Sequence, residues 1–381
     1  MSPIPTTASN QYLILTSPGL AEVALQEAIE FGAVIKNKDH LIIQLSADKL
    51  NSYIQHAQAP TRIVSIFTQA STPESLDFTF ATSLPPISTF NLEYDGVKGQ
   101  DIRDNISKKI LPQLFPILEA KMPDCKMDRK HPQLTLYIIK RESQTQSSTP
   151  TYYLALDLVG DIARREYRVF AHASSIRGDV AYRILREIEF TNSKKIFIGF
   201  VKDGVLAIEA AILAHNHSLN RTLPPLVSTI LTQNNQIAQT SPINTANQGP
   251  KTTNSNSQIC AFETSVPNTR AIDRNAHLAG VKSHLKIKKC ALDDLDLHFE
   301  ENTFDVVLFI ITQKDEEKVN EMYHQALTLL KQNPSSKVTF LSREGWDLVI
   351  PDQLHLEKKV SIERGEGKST LWIITHKPGK K

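Results

Sequence analysis

The segment Ile198-Gly199-Phe200-Val201-Lys202-Asp203-Gly204-Val205-Leu206-Ala207-Ile208-Glu209-Ala210-Ala211 reads as the end of a strand, a turn and the start of a helix. Working outward, the strand runs from 195 to 200 and the helix from 206 to 215. The pattern then repeats downstream, with a strand at 258–262, a helix at 269–279, strands at 285–289 and 304–311, a helix at 316–330 and a strand at 337–341. Extended runs at 358–364 and 369–376 read as a closing hairpin. Strands alternating with helices predict a doubly wound, mostly parallel α/β sheet over residues 191–381. Between 223 and 257 Thr, Asn, Gln, Ser and Pro dominate with almost no apolar periodicity, which reads as a disordered or loosely ordered insertion.

Upstream lie two smaller α+β blocks. In the first, residues 1–75, Tyr12 to Thr16 form a strand, Ser17 is placed to cap a helix, and Pro18 is placed in its first turn. Strands at 40–45 and 62–67 flank a second helix at 47–58, predicting a small sheet with helices on one face. The Ser/Thr/Pro-rich stretch 71–88 leads into the second block, residues 76–165. It opens with a strand at 90–94, a turn bracketed by Gly96 and Gly99, and a helix with an apolar stripe at Ile102, Ile106, Ile110, Leu114 and Leu118. Pro112 and Pro116 are expected to kink or interrupt that helix. Strands at 134–139 and 152–158 follow, on either side of a polar tract, 143–150, that reads as a flexible hairpin tip. Residues 166–190 read as a linker with a helix from Asp179 to Glu189.

The chain has 381 residues and a formal net charge of +2, so affinity for a polyanion must come from a local patch. Such a patch is offered between Gly96 and Arg141, where ten basic residues face five acids. Charge by itself leaves that cluster open between a solvated surface and a phosphate-contacting face. Cys125, Cys260 and Cys290 match neither a metal pattern nor a disulfide framework, which favours a reducing compartment. The polar residues 1–10 lack the apolar core of a signal peptide, and no apolar run approaches a membrane span, so a cytoplasmic protein is expected. His215-Asn216-His217 reads as surface groups at a helix end, and no metal is expected.

Several motifs in order carry a resemblance: Thr16-Ser17-Pro18-Gly19-Leu20-Ala21-Glu22, Tyr94-Asp95-Gly96-Val97-Lys98-Gly99-Gln100, and Leu156-Asp157-Leu158 leading into Arg165-Glu166-Tyr167-Arg168-Val169-Phe170. Together they resemble the ferredoxin-like N-terminal domain and THUMP domain of THUMP-containing RNA methyltransferases. The α/β block resembles the class I, Rossmann-like domain of the tRNA guanine-N2 methyltransferases. The resemblance implies an S-adenosylmethionine cofactor and structured RNA, tRNA above all, as partner. It also makes Lys98, Arg103, Lys108, Lys109, Arg129, Lys130, Arg164, Arg165, Arg168 and Arg177 the candidate RNA-contacting residues.

Set against the family's pattern, the cofactor turn is only half present. Gly204 is kept, but Lys202 stands at the other glycine and Ile198 at the acid that meets the methionine amino group. Glu263 stands where an acid holds the ribose, and Ala291 where an Asp accepts the adenine amine, with Asp293 and Asp294 nearby. Where the family carries Asn/Asp-Pro-Pro-Tyr/Phe, the chain reads Ile310-Ile311-Thr312-Gln313. Orienting an exocyclic amine needs an acceptor, which Ile310 does not offer, and holding an extruded base needs an aromatic face, which Gln313 does not; Thr312 or Gln313 can hydrogen-bond to a base, but neither reproduces that geometry. Three readings follow: an RNA-binding protein impaired in catalysis, an active enzyme with a site rebuilt from Asp203, Glu263, Asp293 or Asp294 and Thr312, or a subunit completed by a partner protein.

Overall fold

The structure, a computed structural model, describes residues 10–142, 149–233, 258–295, 304–311, 316–345, 348–350, 352, 354–364 and 367–377. Its chain divides into two compact units. One comprises the chain up to Thr16, Ala24–Ile162 and a segment from Asn220; the other comprises Ser17–Val23, Ala163–Leu219 and the chain from Gln258 on.

In the first unit the elements are β1 (Gln11–Leu15), α1 (Ala21–Glu30, whose first residues fall in the other unit), β2 (Val34–Asn37), β3 (Ile42–Gln44), α2 (Ala47–His56) and β4 (Arg62–Ala70). They continue with β5 (Thr89–Asp95), α3 (Gln100–Lys121), β6 (Lys126–Met127), β7 (Leu134–Arg141) and β8 (Thr151–Asp157). All eight strands join one sheet in the order β2-β3-β1-β4-β8-β7-β5-β6. The blocks 1–75 and 76–165 therefore contribute to a continuous sheet, joined where β4 pairs antiparallel with β8, Val64 opposite Asp157. Asp157 accepts from Arg62 at 2.5 Å and from the amides of Val159 and Gly160, so the Leu156-Asp157-Leu158 motif ends the strand and fixes the turn after it. Gly96 (φ 72°) is equally structural, because a Cβ there would lie 2.1 Å from the Lys140 carbonyl oxygen.

Two expectations about helices change. Helix α3 runs unbroken through Pro112 and Pro116. Both prolines lie on its exposed face, four residues apart, while Ile106, Ile110, Leu114 and Leu118 are buried on the other. Each missing N–H frees a carbonyl on the exposed side of the helix, open to solvent, so packing of the buried stripe outweighs the local penalty. Ser17 caps no helix, since α1 begins only at Ala21; its hydroxyl donates to Asp179 at 2.5 Å instead.

The second unit follows with α4 (Gly178–Glu187), β9 (Ile196–Gly199) and α5 (Val205–His215). The chain then rejoins the first unit, where α6 (Pro225–Gln233) buries Val227, Ile230 and Leu231. Arg221 ties that segment down by donating to the Ala57 carbonyl at 2.6 Å. The stretch read as a loose insertion, 223–257, thus opens with a packed helix whose i, i+3, i+4 stripe is diluted by Ser, Thr and Gln; residues 234–257 lie outside the described residues. The 143–150 tip likewise falls mostly outside them.

Returning to the second unit, β10 (Ile259–Glu263), α7 (Val266–Leu278), β11 (Leu285–Lys289), β12 (Val306–Ile310), α8 (Glu316–Gln332), β13 (Lys337–Arg343), β14 (Leu354–Arg364) and β15 (Gly367–His376) complete the chain. The sheet order is β11-β10-β9-β12-β13-β15-β14, with β9 to β13 parallel and β15 antiparallel to both its neighbours. This is the expected doubly wound sheet with a terminal hairpin. Strand alternation gives it two chemically different faces. Ile196, Ile198, Ile259, Ala261 and Leu308 meet the aliphatic residues of α4, α5 and α7, while Phe197, Phe262, Phe309 and Phe340 meet α8. The edge strand β11 exposes Lys286, Lys288 and Lys289, charges that discourage pairing with another sheet edge.

Candidate cofactor site

In a sheet of this order the strand sequence reverses between β9 and β12, and ligands bind in the crevice beyond the carboxyl ends there. A cavity of ≈550 Å³ occupies that position. Phe200 and Lys202 line it from the turn after β9, Thr264 after β10, Lys289 to Asp293 after β11, and Ile310 and Ile311 after β12. Val319, Glu321 and Met322 close it from α8. A second cavity, of ≈470 Å³, adjoins the carboxyl ends of β12 and β13 and shares Ile310 and Ile311 with the first.

The turn after β9 holds three residues in the left-handed region: Phe200 (φ 62°), Lys202 (φ 56°) and Gly204 (φ 86°). Only the last is glycine, and a Cβ on it would come within 2.9 Å of Ile272. A lysine in that region costs about 1–2 kcal/mol, and its own amide helps hold it there by donating to Glu263 Oε1 at 2.7 Å. Lys202 therefore holds a backbone conformation that glycine adopts without strain.

Beneath the turn lie two buried carboxylates. Asp203 is fully buried and accepts from Arg168 Nε at 3.0 Å, from the His172 amide at 3.1 Å and from the Ser175 hydroxyl. Its carbonyl accepts from Asn275 Nδ2 at 2.9 Å, and Asn275 also bonds the amide and carbonyl of Phe170, fastening residues 168–175 to the turn. Glu209, in the middle of α5, is gripped bidentately by Arg165 (2.7 and 3.0 Å) and by the Tyr167 hydroxyl at 2.6 Å. Burial opposes the Arg165 charge, but the Glu209 carboxylate outweighs it and holds the guanidinium pKa above its ordinary value. Burial first, then the same carboxylate, raises Tyr167 well above the usual phenol range. Gly178 is required beside them, since a Cβ there would meet Arg165 Nε at 2.4 Å.

These contacts revise several assignments. Arg165 is buried in its pair with Glu209 and is not available to a phosphate. Arg168 pairs with Asp203, and Arg177 with the buried Asp179. Both neutralise carboxylates that burial would otherwise leave uncompensated. Arg164 is exposed, as are Lys98, Lys108, Arg129 and Lys130; Lys109 pairs with Glu74, and Arg103 donates to the Val97 carbonyl. Ile198 points into the aliphatic core, away from the cavity. Glu263 is almost fully buried, its oxygens taken by the Lys202 amide and Asn268 Nδ2. Ala291 and Asp293 do line the cavity, whereas Thr312 and Gln313 lie outside the described residues. His215 is half-buried and stacked on His284, ring centroids 3.7 Å apart, not a free surface group.

The sequence reading missed Lys289, Cys290, Glu321 and Met322, because only the packing of α8 and the end of β11 brings them to the cavity. Glu321 meets Asp293 there. Their hydrogen bond, then burial and the like charge, lifts the Glu321 carboxyl to about 7. Burial likewise raises the Cys290 thiol to about 11.

Residues 165–361, just over half of the chain, match the UPF0020 family, described as RMKL-like, methyltransferase domain. The chain belongs to that family. Among solved structures, TrmN from Thermus thermophilus is similar at 14% identity and a TM-score of 0.65, covering 96% of this chain and 99% of its own. SMU.472, assigned as a methyltransferase and complexed with SAH, is similar at 15% identity and TM-score 0.66, covering 97% and 98%. A predicted N6-adenine-specific DNA methylase from Listeria monocytogenes matches at 14% and 0.65, covering 95% of each chain. At such identities the likeness is one of fold. No curated protein matches the sequence.

S-adenosylmethionine, the cofactor this RMKL-like family implies, does not fit the residues present. Lys202, which the resemblance sets at a glycine of the cofactor turn, lines the cavity, and a cation there disfavours a sulfonium. Glu263, which the resemblance sets against a ribose, already accepts from protein donors, and Ala291, which it sets at the adenine amine, offers no side-chain acceptor.

Proposed function

We propose that this chain is a structured-RNA-binding protein, with tRNA foremost, related to the tRNA guanine-N2 methyltransferases and impaired in methyl transfer. Its first unit acts as ferredoxin-like and THUMP RNA-binding modules. The observation that carries the impairment is the cavity's β12 wall: Ile310 and Ile311, two aliphatic side chains, occupy the ground where an acceptor would orient a base amine. RNA binding is supported by the exposed cations Lys98, Lys108, Arg129 and Lys130 of the first unit, which suit a phosphate backbone better than a base edge.

The rebuilt-site reading loses two of its acids, because Asp203 and Glu263 are buried and already accept from protein donors. A subunit completed by a partner would gain its missing acceptor from that partner. The test is a pair of assays on the purified chain. Electrophoretic shift with a tRNA pool should show binding that weakens steeply with salt, and transfer of labelled methyl from S-adenosylmethionine to the same pool should stay at background. Methyl turnover at enzyme-like rates by the chain alone would overturn the impairment; salt-insensitive or absent tRNA binding would overturn the RNA role.

A further inference from the structure

The cavity that lacks the features for a sulfonium has kept, and gained, features for something else. Its lining includes Lys202 from the turn and Lys289 from the end of β11, neither in an ion pair among the described residues. Glu263 is opposite Lys289 in the β10–β11 register, yet its oxygens accept from the Lys202 amide and Asn268. Two cationic residues on the lining of one concave, partly apolar space favour an anion there. Leu292, Ile310, Ile311, Val319 and Met322 line the same cavity, aliphatic and thioether surface suited to a ring system. The lining also carries the hydrogen-bonded pair Asp293 and Glu321, which can accept from an exocyclic amine and donate to a ring nitrogen.

We infer that this cavity binds a purine nucleoside phosphate, its phosphate on Lys202 and Lys289 and its base between the aliphatic wall and the Asp293–Glu321 carboxyls. The volume of ≈550 Å³ is in the range of sites that enclose small ligands. The inference rests on the reading of the site as one that no longer uses a sulfonium cofactor. It assigns the retained fold a ligand of its own, without any bond-making step.

The test is calorimetric titration of AMP, GMP, adenosine, S-adenosylhomocysteine and S-adenosylmethionine into the full chain, repeated with Lys202→Gly and Lys289→Gln. Glycine accepts the backbone conformation at 202 without strain, so the first variant leaves the fold intact, and a thermal unfolding scan verifies both. One of the two nucleotides should bind at least tenfold more tightly than adenosine or S-adenosylhomocysteine and lose at least tenfold in each variant. Binding of S-adenosylmethionine or S-adenosylhomocysteine as tight as that of the nucleotides would overturn both this inference and the impaired-enzyme reading. Absence of nucleotide binding, or nucleotide binding untouched by either substitution, would overturn this inference alone and leave the tRNA result standing.

Discussion

The two ends of a short path along α5 contrast sharply. At its N-terminus Lys202, in the turn 201–204, takes a left-handed conformation and lines the cavity; one and a half turns later Glu209 is wholly buried between Arg165 and Tyr167. Both belong to one strand–turn–helix segment, but the first lines a cavity and the second faces the protein. The second is bound to its partners by the cost of an unpaired buried charge, a constraint the first does not carry.

The contrast is easiest to break at Glu209. Glu209→Ala strands the Arg165 guanidinium, and chemical denaturation of the full chain should show a loss of about 3–5 kcal/mol. Replacing the pair together, Arg165→Met with Glu209→Leu, should recover much of that loss; a single variant within 1 kcal/mol of wild type would remove the hub from the argument. Next comes Gly204→Ala, which places a Cβ against Ile272 at a left-handed φ and should cost about 1–3 kcal/mol by the same measurement. Lys202→Gly sharpens the comparison from the other side. Relief of left-handed strain and the greater freedom of the unfolded chain nearly cancel, so stability should move by less than about 1 kcal/mol. A large loss there would mean that the lysine side chain supports the turn.

The smallest effect concerns pH. Glu321 in the folded protein titrates near 7 against an ordinary 4.5, so between those values the folded state holds a proton that the unfolded chain has released. Its contribution is full below 4.5 and is lost as pH rises through 7. Carboxylates held low by lysines, such as Glu189, act with the opposite sign, so the readout is a difference. Relative to Glu321→Gln, the wild-type melting temperature should fall by about 2 °C between pH 5 and pH 8. A flat difference would separate Glu321 from Asp293.

Most element positions in the α/β unit were legible because buried parallel strands are continuous apolar runs set off by helical periodicity, as at 304–311, the run that holds β12. The prolines of α3 misled because a local rule does not see that both face water, and α6 was hidden by a polar composition around three buried residues. At the site, Lys202, Ala291 and Ile310 could be named from the sequence because each stands at a strand end, and the structure places all three on the cavity lining. The sequence by itself determined the doubly wound order of strands and helices and the residue types at the strand ends. Only the tertiary structure decided where the remaining charges point. Arg165 and Glu263 read as surface chemistry in one dimension, yet they turn inward because their partners Glu209, Lys202 and Asn268 come from other elements. Lys202, Lys289, Asp293 and Glu321, spread over 120 positions of sequence, share one cavity because parallel strands end side by side.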